Sequence, residues 1–324
     1  MAGTRFGRAI NQAIAECMEE DSSVIVIGED VGAADGPFKV TRGLLNKFGP
    51  QRVFDTPISE AAIVGACVGA ALGGLKPVVE IMFMDFVTLA MDALVNQAAK
   101  QRFMSGGQCS IPIVVRTPHG AGLSAGAQHS QCLEAWLAHV PGLKVVCPSN
   151  PSDAYSLFKA AVADPDPVIF VENKTLYAMT GELAVGVDAV PIGRARVARP
   201  GRDVTVVSYG ASVHTSLAAA QNLQGVGIEA EIIDLRSIQP WDKEMVFASV
   251  ARTHRVVIVH EAVRAFGVGA EIAASIGEDL FDELDAPVVR VGAPFMPVPF
   301  AKSLEEQYIP GVDAVTAGIR KVMV

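Results

Sequence analysis

The chain has 324 residues, half of them hydrophobic, and a formal net charge of −9 at pH 7. This length predicts about two domains with an ample core, and the acidic balance without any lysine or arginine cluster excludes nucleic acid and anionic membrane surfaces as partners. No apolar run approaches the roughly 18 to 20 residues of a membrane span, so we expect a soluble chain that hides apolar surface in subunit contacts.

Short β-branched runs alternate with longer helical patterns along the whole sequence. In the first half, strands are predicted at 24–27, 78–81, 113–115, 144–146 and 168–171, and helices at 5–20, 60–74, 86–104 and 151–163. In the second half, strands are predicted at 204–209, 229–235, 255–260 and 288–291, and helices at 211–224, 242–252 and 267–280. The repetition predicts an α/β fold of two doubly wound domains with mainly parallel sheets. A polar, Pro- and Gly-marked stretch separates the halves, so we place the domains at 1–185 and 203–324 with a linker at 186–202.

The cysteines and the N-terminus bear on the compartment. Five cysteines occur with no C-x-x-C pair, which favours buried thiols in a reducing compartment over disulfides or metal ligands. The N-terminal residues run directly into the first helical pattern, so no targeting peptide is expected and a cytoplasmic location is predicted.

Two glycine patterns bear on nucleotide binding. Gly65, Gly69 and Gly73 fall on one face of the helix predicted at 60–74, where small residues favour close packing of another backbone. Gly28 follows a strand, but the second and third glycines of the dinucleotide-binding fingerprint are missing. A nucleotide-binding α/β protein is therefore disfavoured.

Three residues are candidates for chemistry. Glu60 follows an extended run, with Ser59 as a possible helix cap, at the edge of a sheet where α/β proteins bind ligands; a Ser-Glu pair in this position is also a common helix-capping feature. Phe86, together with Phe83, has the helical spacing of an ordinary core residue. His129 lies on a glycine-rich loop suited to meeting a substrate, although a structural histidine is the alternative.

Many separate segments together resemble, in the same order, the β subunit of a thiamine-diphosphate-dependent 2-oxo acid dehydrogenase. These segments are 25–31, 56–74, 80–92, 97–107, 127–134, 141–148, 166–172 and 234–240. The family includes pyruvate, branched-chain and acetoin dehydrogenases. The resemblance implies a pyrimidine-binding transketolase-like domain followed by a transketolase C-terminal-type domain. It also implies an oxidoreductase that cleaves a 2-oxo acid or acetoin and transfers the acyl group to lipoamide.

The resemblance also implies roles for the candidate residues. Glu60 would share a proton with the distal pyrimidine nitrogen of thiamine diphosphate, which promotes the imine tautomer that deprotonates the thiazolium carbon; a dry pocket strengthens that bond. Phe86 would stack on the pyrimidine ring, and Glu29 would approach the coenzyme or its water network. His129 would line the channel beside the reactive carbon and assist acyl transfer to lipoamide.

One expected motif is missing. Thiamine enzymes of this family hold the diphosphate through Mg²⁺ with a Gly-Asp-Gly stretch, and the chain has none. We therefore expect an α subunit to supply the Mg²⁺ half of the site in an α2β2 heterotetramer, with a lipoyl-bearing dihydrolipoamide acyltransferase as a further partner. The family's potassium loop aligns with Ile113, Ala161, Val162, Asp164 and Asp166, although Pro165 inside the loop is unusual.

Two other functions remain open from the residues alone. A self-sufficient transketolase-like enzyme is disfavoured by the missing Gly-Asp-Gly motif. A non-catalytic assembly subunit of the same fold is disfavoured because Glu60, Phe86 and His129 occur together. The choice between pyruvate, acetoin and branched-chain substrates is left open, because the α subunit lines part of the substrate pocket.

Overall fold

The computed structural model describes residues 3–183 and 190–324. These residues fall into two compact units. The first unit contains the chain up to His119 together with Trp136–Ile192, and the second contains Gly120–Ala135 together with Gly193–Val324. Within the described ranges, no helix has both the length and the apolar character needed to cross a membrane.

The first unit is built on a parallel sheet of buried, β-branched strands. Its strands are β2 Val24–Gly28, β3 Val53–Asp55, β4 Lys76–Glu80, β5 Val114–His119, β6 Lys144–Val146 and β7 Val168–Asn173. Their spatial order is β6-β7-β5-β4-β2-β3, and each neighbouring pair is parallel. Near-continuous apolar runs are typical of such strands, because both faces of a parallel sheet are covered. Two further short strands, β1 Thr4–Arg5 and β8 Thr180–Gly181, form an antiparallel pair.

The helices between these strands follow from apolar spacing. They are α1 Phe6–Glu20, α2 Leu44–Phe48, α3 Glu60–Leu72, α4 Ala99–Met104, α5 Glu134–Ala138 and α6 Pro151–Ala163. The helix predicted at 86–104 is divided into a 3₁₀ segment Met84–Ala90, a π segment Ala93–Ala98 and α4. The Thr88 hydroxyl donates a 2.8 Å hydrogen bond to the Asp85 carbonyl, a local side-chain bond that competes with regular helix.

The second unit repeats the β-α alternation around its own sheet. Its strands are β9 Arg196–Arg199, β10 Val204–Ser208, β11 Ala230–Asp234, β13 Val256–Val263 and β14 Val289–Ala293, with a short β12 Ser237–Gln239. The sheet order is β14-β13-β10-β11-β9, parallel except for the antiparallel β9. The helices are α7 Ser212–Gln224, α8 Lys243–Thr253, α9 Val268–Asp279, α10 Lys302–Tyr308 and α11 Val312–Val322.

Helices cover both faces of this second sheet. On one face, Val204 and Val206 join a core that includes α7 and α11 residues. On the other face, the Thr205 hydroxyl lies 2.6 Å from the Ser249 hydroxyl and 2.7 Å from the Thr253 hydroxyl of α8. The alternation of side chains along a strand thus buries both faces, as a doubly wound fold requires.

The unit boundaries differ from the predicted ones in two places. Strand β9 lies inside the predicted linker 186–202 but pairs with β11, so Arg196–Arg199 belongs to the second sheet. Residues 184–189, which include the predicted end of the first domain, lie outside the described residues. Residues 120–135 group with the second unit, although the predicted first domain includes them. Ala121 shows the reason, because it is buried with Ala293 and Val298.

The glycine face of α3 is not packed as the sequence suggested. Gly65 and Gly69 are exposed, and a Cβ atom added at either position would meet nothing within 4 Å in the described chain. The opposite face of α3 buries Ile63, Val64 and Cys67. The helix therefore packs mainly through its branched residues, and Gly65 and Gly69 face outward.

Candidate active site

Glu60 is the first residue of α3 and directly follows the connection from β3. Its side chain is only 5 % exposed. Ser59 occupies the N-cap position, but its side chain makes no capping hydrogen bond, so the expected cap is absent. The backbone N–H of Ser59 instead hydrogen-bonds to the carboxylate of Glu29.

Glu29 lies beside Glu60 because β2 and β3 are parallel neighbours whose carboxyl ends share one edge of the sheet. Glu29 is 9 % exposed, and its Oε1 atom has no hydrogen-bond partner among the described residues. Burial raises the pKa of the Glu29 carboxyl, and the nearby charges of Glu60 and Asp30 raise it further. A buried carboxyl whose ionisation is disfavoured in this way is suited to holding a proton.

Phe86 lies near the end of a third neighbouring strand. It lies in the 3₁₀ segment that follows β4, the other neighbour of β2, and α3 packs against this segment. Its half-buried ring meets Phe83 edge-on, with 6.0 Å between ring centroids. Phe83 in turn contacts the ring of Phe38 edge-on at 5.9 Å and lies 5.3 Å from the Lys174 ammonium. An aromatic face next to buried carboxylates fits a flat, polar, protonatable ring such as an aminopyrimidine.

The structure therefore brings Glu29, Glu60 and the segment of Phe86 to three adjacent strand ends of the first unit. The unpartnered oxygen of Glu29 is the observation that favours a ligand here, because buried polar atoms normally have a partner. These residues fit the pyrimidine half of thiamine diphosphate.

His129 belongs to the second unit and sits in a closed loop. The loop is joined at its base by a 3.5 Å hydrogen bond from the Gly120 N–H to the Gln131 carbonyl, and the His129 N–H donates to the Gly126 carbonyl at 3.3 Å. The side chain of His129 is half-buried. Its neighbours Gln128 and Gln131 line an apolar cavity of about 480 Å³ together with Cys132, Met296 and Tyr308. The loop predicted from the sequence is present, and it presents a titratable side chain beside a cavity.

The segment aligned with the potassium loop already contains an ammonium group. Lys144 Nζ lies 2.6 Å and 2.7 Å from the two carboxylate oxygens of Asp164 and 3.4 Å from Asp166 Oδ2. The Ile113 carbonyl accepts from the Val168 N–H at 3.0 Å. The Ala161 carbonyl accepts from the Asp164 N–H at 3.3 Å, and Val162 is buried. Arg102 Nη1 lies 3.0 Å from Asp166 Oδ1, so Lys144 and Arg102 together compensate the two acidic side chains. A monovalent cation here would therefore bind main-chain carbonyls, which keep a second lone pair beside the hydrogen bond they accept.

A buried ion cluster at the same sheet edge was not predicted. Arg116 in β5 forms an ion pair with Glu80 at the end of β4, and its Nη2 donates to Glu172 Oε2 in β7 at 2.8 Å. The Tyr177 hydroxyl donates to the same Glu172 oxygen at 2.6 Å. All three charged side chains are at most 5 % exposed. A charge at the end of an otherwise apolar strand was the sequence signal, because such a residue must find a partner on the neighbouring strand.

Known families match the two units in order. Residues 3–180 match the transketolase pyrimidine-binding domain, and residues 193–315 match the transketolase C-terminal domain. A chain of a split-gene transketolase, described as an inactive β4 tetramer, has the same fold, with a TM-score of 0.82, 24% identity and coverage of 99% of this chain and 98% of that chain.

Full-length relatives specify the family more closely. The chain is 47% identical over 317 residues to the mitochondrial pyruvate dehydrogenase E1 component subunit beta-2 of Oryza sativa, covering 97% of this chain and 84% of the relative. It is 46% identical over 321 residues to the acetoin:2,6-dichlorophenolindophenol oxidoreductase subunit beta of Bacillus subtilis, covering 95% of this chain and 94% of the relative. The chain therefore belongs to the transketolase-like family of pyruvate dehydrogenase and acetoin oxidoreductase β subunits, as its sequence segments indicated.

Proposed function

We propose that this chain is the β subunit of a thiamine-diphosphate-dependent enzyme that cleaves pyruvate or a similar 2-oxo acid, or acetoin, and transfers the acyl group to lipoamide. The observation that carries the proposal is the row of Glu29, Glu60 and Phe86 at adjacent strand ends. The names of the β-subunit relatives support the same activity. They favour it over a self-sufficient transketolase and over a non-catalytic assembly subunit.

Three residues of the first unit would act on the coenzyme. Glu60 holds a proton shared with the distal pyrimidine nitrogen, and its burial makes that hydrogen bond strong. Phe86 orients the pyrimidine ring by stacking, which contributes roughly 0.5–1.5 kcal/mol beyond burial. Glu29, whose pKa burial raises, helps to keep a proton near Glu60. When bound, thiamine diphosphate supplies a carbon nucleophile and an electron sink for cleavage beside the carbonyl.

His129 of the second unit serves the transfer to lipoamide in this proposal. The lipoamide disulfide is the electron acceptor: its S–S bond breaks, one sulfur takes the acyl group, and the other takes a proton. His129 donates that proton, because it is half-exposed on a loop beside a cavity where a lipoyl arm has room. An artificial electron acceptor needs no such proton at sulfur, so the two acceptors separate this role from earlier steps.

The partners and ions of the enzyme are part of the proposal. The sequence contains no Gly-Asp-Gly stretch, so an α subunit in an α2β2 heterotetramer would hold Mg²⁺ and the diphosphate. A lipoyl-bearing dihydrolipoamide acyltransferase would take the acyl group. Potassium would bind main-chain carbonyls near Ile113 and Ala161. The cytoplasmic location also remains a prediction, since the relatives include bacterial and mitochondrial proteins.

The test is an assay of the enzyme assembled from this chain and its α subunit. Reduction of 2,6-dichlorophenolindophenol is followed with pyruvate, with a branched-chain 2-oxo acid and with acetoin. Glu60→Gln keeps the shape of the side chain but cannot share its proton, so turnover falls about 10²- to 10⁴-fold while the subunits stay associated. Glu278→Gln, an exposed change, is the matched control. Full activity of Glu60→Gln would contradict the proposed role.

His129→Ala is compared in the same preparation with both acceptors. Transfer to a lipoyl domain falls about 10²-fold or more, the range for a lost acid–base contact, while turnover with 2,6-dichlorophenolindophenol changes little. An equal fall with both acceptors would assign His129 to substrate binding instead, and no fall would make it a structural residue.

A further inference from the structure

The loop that carries His129 is held by a buried carboxylate from a distant part of the chain. Glu305, in α10, accepts a 2.8 Å hydrogen bond from the Gly122 N–H and a 2.9 Å hydrogen bond from the Ser124 N–H. The Ser124 hydroxyl lies 3.4 Å from the same carboxylate. Glu305 is 2 % exposed although the residues around it in α10 are mostly exposed. The carboxylate thus points inward, away from solvent, at the main chain of the loop.

A second carboxylate accepts a hydrogen bond from Ala121, the residue before Gly122. Glu261, near the end of β13, accepts a 2.6 Å hydrogen bond from the Ala121 N–H and is 8 % exposed. The Ala121 side chain is buried with Ala293 and Tyr308, the latter one helical turn after Glu305. The main-chain N–H groups of Ala121, Gly122 and Ser124 therefore all donate hydrogen bonds to carboxylates. Such charge-assisted hydrogen bonds are stronger than those between two neutral groups.

The loop backbone needs such support. Gly120, Gly122 and Gly126 have φ values of +90°, +98° and +80°, and Ser124, which has a side chain, has φ +53°. A non-glycine residue in the left-handed region persists where the surroundings hold it there. The two main-chain N–H groups that donate to Glu305 flank Leu123 within this segment, so their hydrogen bonds favour the backbone conformation that the loop adopts before His129.

The coupling runs in both directions. Among the described residues Glu305 has no ion-pair partner, and its carboxylate accepts hydrogen bonds from the loop and from no other segment. If the loop moved away, a buried carboxylate would lose its compensating donors, which is strongly unfavourable. The loop and the carboxylate therefore order each other.

We propose that Glu305, assisted by Glu261, is a positioning residue that fixes the His129 loop in the geometry required for acyl transfer to lipoamide. This inference rests on the proposed role of His129. Glu305 touches neither coenzyme nor substrate in the proposal and acts only through the loop. A misplacement of about 1 Å in a reacting group can lower a rate about 10²-fold.

The test compares Glu305→Gln with Glu306→Gln in the enzyme assembled with its α subunit. Glutamine presents an amide N–H₂ to one of the two loop N–H groups, so one hydrogen bond is replaced by two opposed donors. Glu306 is the exposed neighbour in the same helix, where its ion-pair partner among the described residues is Lys302 at 3.8 Å. Amide hydrogen exchange of peptides covering 117–133 is measured first. It is faster in Glu305→Gln and unchanged in Glu306→Gln.

The second measurement is the ratio of lipoyl-domain acylation to 2,6-dichlorophenolindophenol reduction. In Glu305→Gln this ratio falls about 10-fold or more, because the loop and not the decarboxylation site is disturbed. A purely structural role would lower both rates together and leave the ratio unchanged, which would overturn positioning. An unchanged rate of amide hydrogen exchange in the loop would show that the Glu305 carboxylate does not hold the loop in place.

His129→Ala in parallel separates the two proposals. If His129→Ala lowers the ratio but Glu305→Gln does not, the positioning proposal fails and the role of His129 stands. If His129→Ala leaves the ratio unchanged, the role of His129 fails together with this positioning role, while the exchange result still decides whether Glu305 holds the loop. Should Glu305→Gln fail to fold, Ser124→Gly and Glu261→Gln perturb the same loop from its other contacts.

Discussion

Glu29 owes its burial and its charged neighbour to its position at the end of strand β2. The parallel pairing of β2 with β3 puts its carboxylate next to Glu60 in a buried position. Neither the burial nor the neighbour can be read from the local sequence, which places the two residues about thirty positions apart. The topological rule that ligands bind at the carboxyl edge of such sheets made Glu60 a candidate, but it says nothing about the electrostatics of Glu29.

Glu29→Gln should stabilise the isolated chain at neutral and alkaline pH. Burial and the Glu60 charge raise the pKa of Glu29, so the folded chain binds this proton more tightly than the unfolded chain does. The resulting stability is fully present below the ordinary pKa and is lost as the pH rises through the raised value. Because glutamine carries no charge to desolvate, we expect a melting temperature about 2 °C higher at pH 8 and little difference near pH 4.5.

Differential scanning fluorimetry at several pH values checks this expectation. Glu278→Gln, which removes an exposed charge, is the control and should show no such pH-dependent gain. A Glu29→Gln variant that is less stable than the native chain at pH 8 would mean that the ionised carboxylate is favourable in the fold.

Arg116, unlike Glu29, carries a buried charge that is favourable in the fold, because it compensates two buried carboxylates at once. Arg116→Met would leave Glu80 and Glu172 without their cation, and removing one partner of a buried pair typically costs about 3–5 kcal/mol. We expect this loss in urea unfolding of the chain. Arg102→Met, which removes a half-exposed 3.0 Å pair with Asp166, should cost no more than about 1 kcal/mol.

A further variant keeps the Arg116 prediction testable if the first one fails to fold. Combining Arg116→Met with Glu80→Gln and Glu172→Gln removes the stranded charges and should recover part of the loss. Equal stability of the single and the combined variant would show that packing of the guanidinium, and not its charge, is what the fold requires.

At the scale of elements, periodicity predicted regular structure well where packing follows it. Helix α1 matches its predicted range closely because the apolar residues that recur every three or four positions along it form its buried face. The helix predicted at 86–104 became three different helical segments, since local bonds such as that of Thr88 to Asp85 interrupt it. The glycine face of α3 was expected to be packed but is exposed, because a small-residue pattern does not say which partner covers it.

The loop after α6 carries the prediction about potassium. If the cation binds carbonyls near Ile113 and Ala161, it binds only the folded chain and raises its stability by mass action. At a potassium concentration ten times Kd, the gain is about 1.4 kcal/mol. We expect a higher melting temperature in potassium chloride than in choline chloride at the same ionic strength.

Matched ionic strength is essential to that comparison, because screening affects the exposed pair of Arg102 with Asp166 in both salts equally. Sodium chloride serves as a size control. The same melting temperature in all three salts would show that the Lys144 ammonium, already bonded to Asp164, suffices for this loop.

In the whole molecule, one segment belongs to a different unit from the one predicted from its position along the chain. Residues 120–135 lie between first-unit segments in sequence, yet they group with the second unit. The interactions responsible are main-chain hydrogen bonds to Glu261 and Glu305, more than 130 positions away. Periodicity describes neighbours along the chain, so it has no means of predicting such contacts. The domain families themselves were predicted correctly because many short segments matched in order.

The last prediction concerns what the chain can do by itself. The first unit offers groups for a pyrimidine ring, whereas the sequence lacks the Gly-Asp-Gly stretch that holds Mg²⁺ and diphosphate in this family. Most of the binding free energy of a diphosphate comes from its charged groups and their metal ion. We therefore expect isothermal titration calorimetry to show weak thiamine diphosphate binding by the isolated chain, with no dependence on Mg²⁺ and no turnover. Adding the α subunit to the same sample should produce tight, Mg²⁺-dependent binding of thiamine diphosphate. This control also shows that the purified chain was folded and able to take part in coenzyme binding. Tight Mg²⁺-dependent binding by the isolated chain would contradict a site divided between two subunits, and it would revive the self-sufficient transketolase-like alternative.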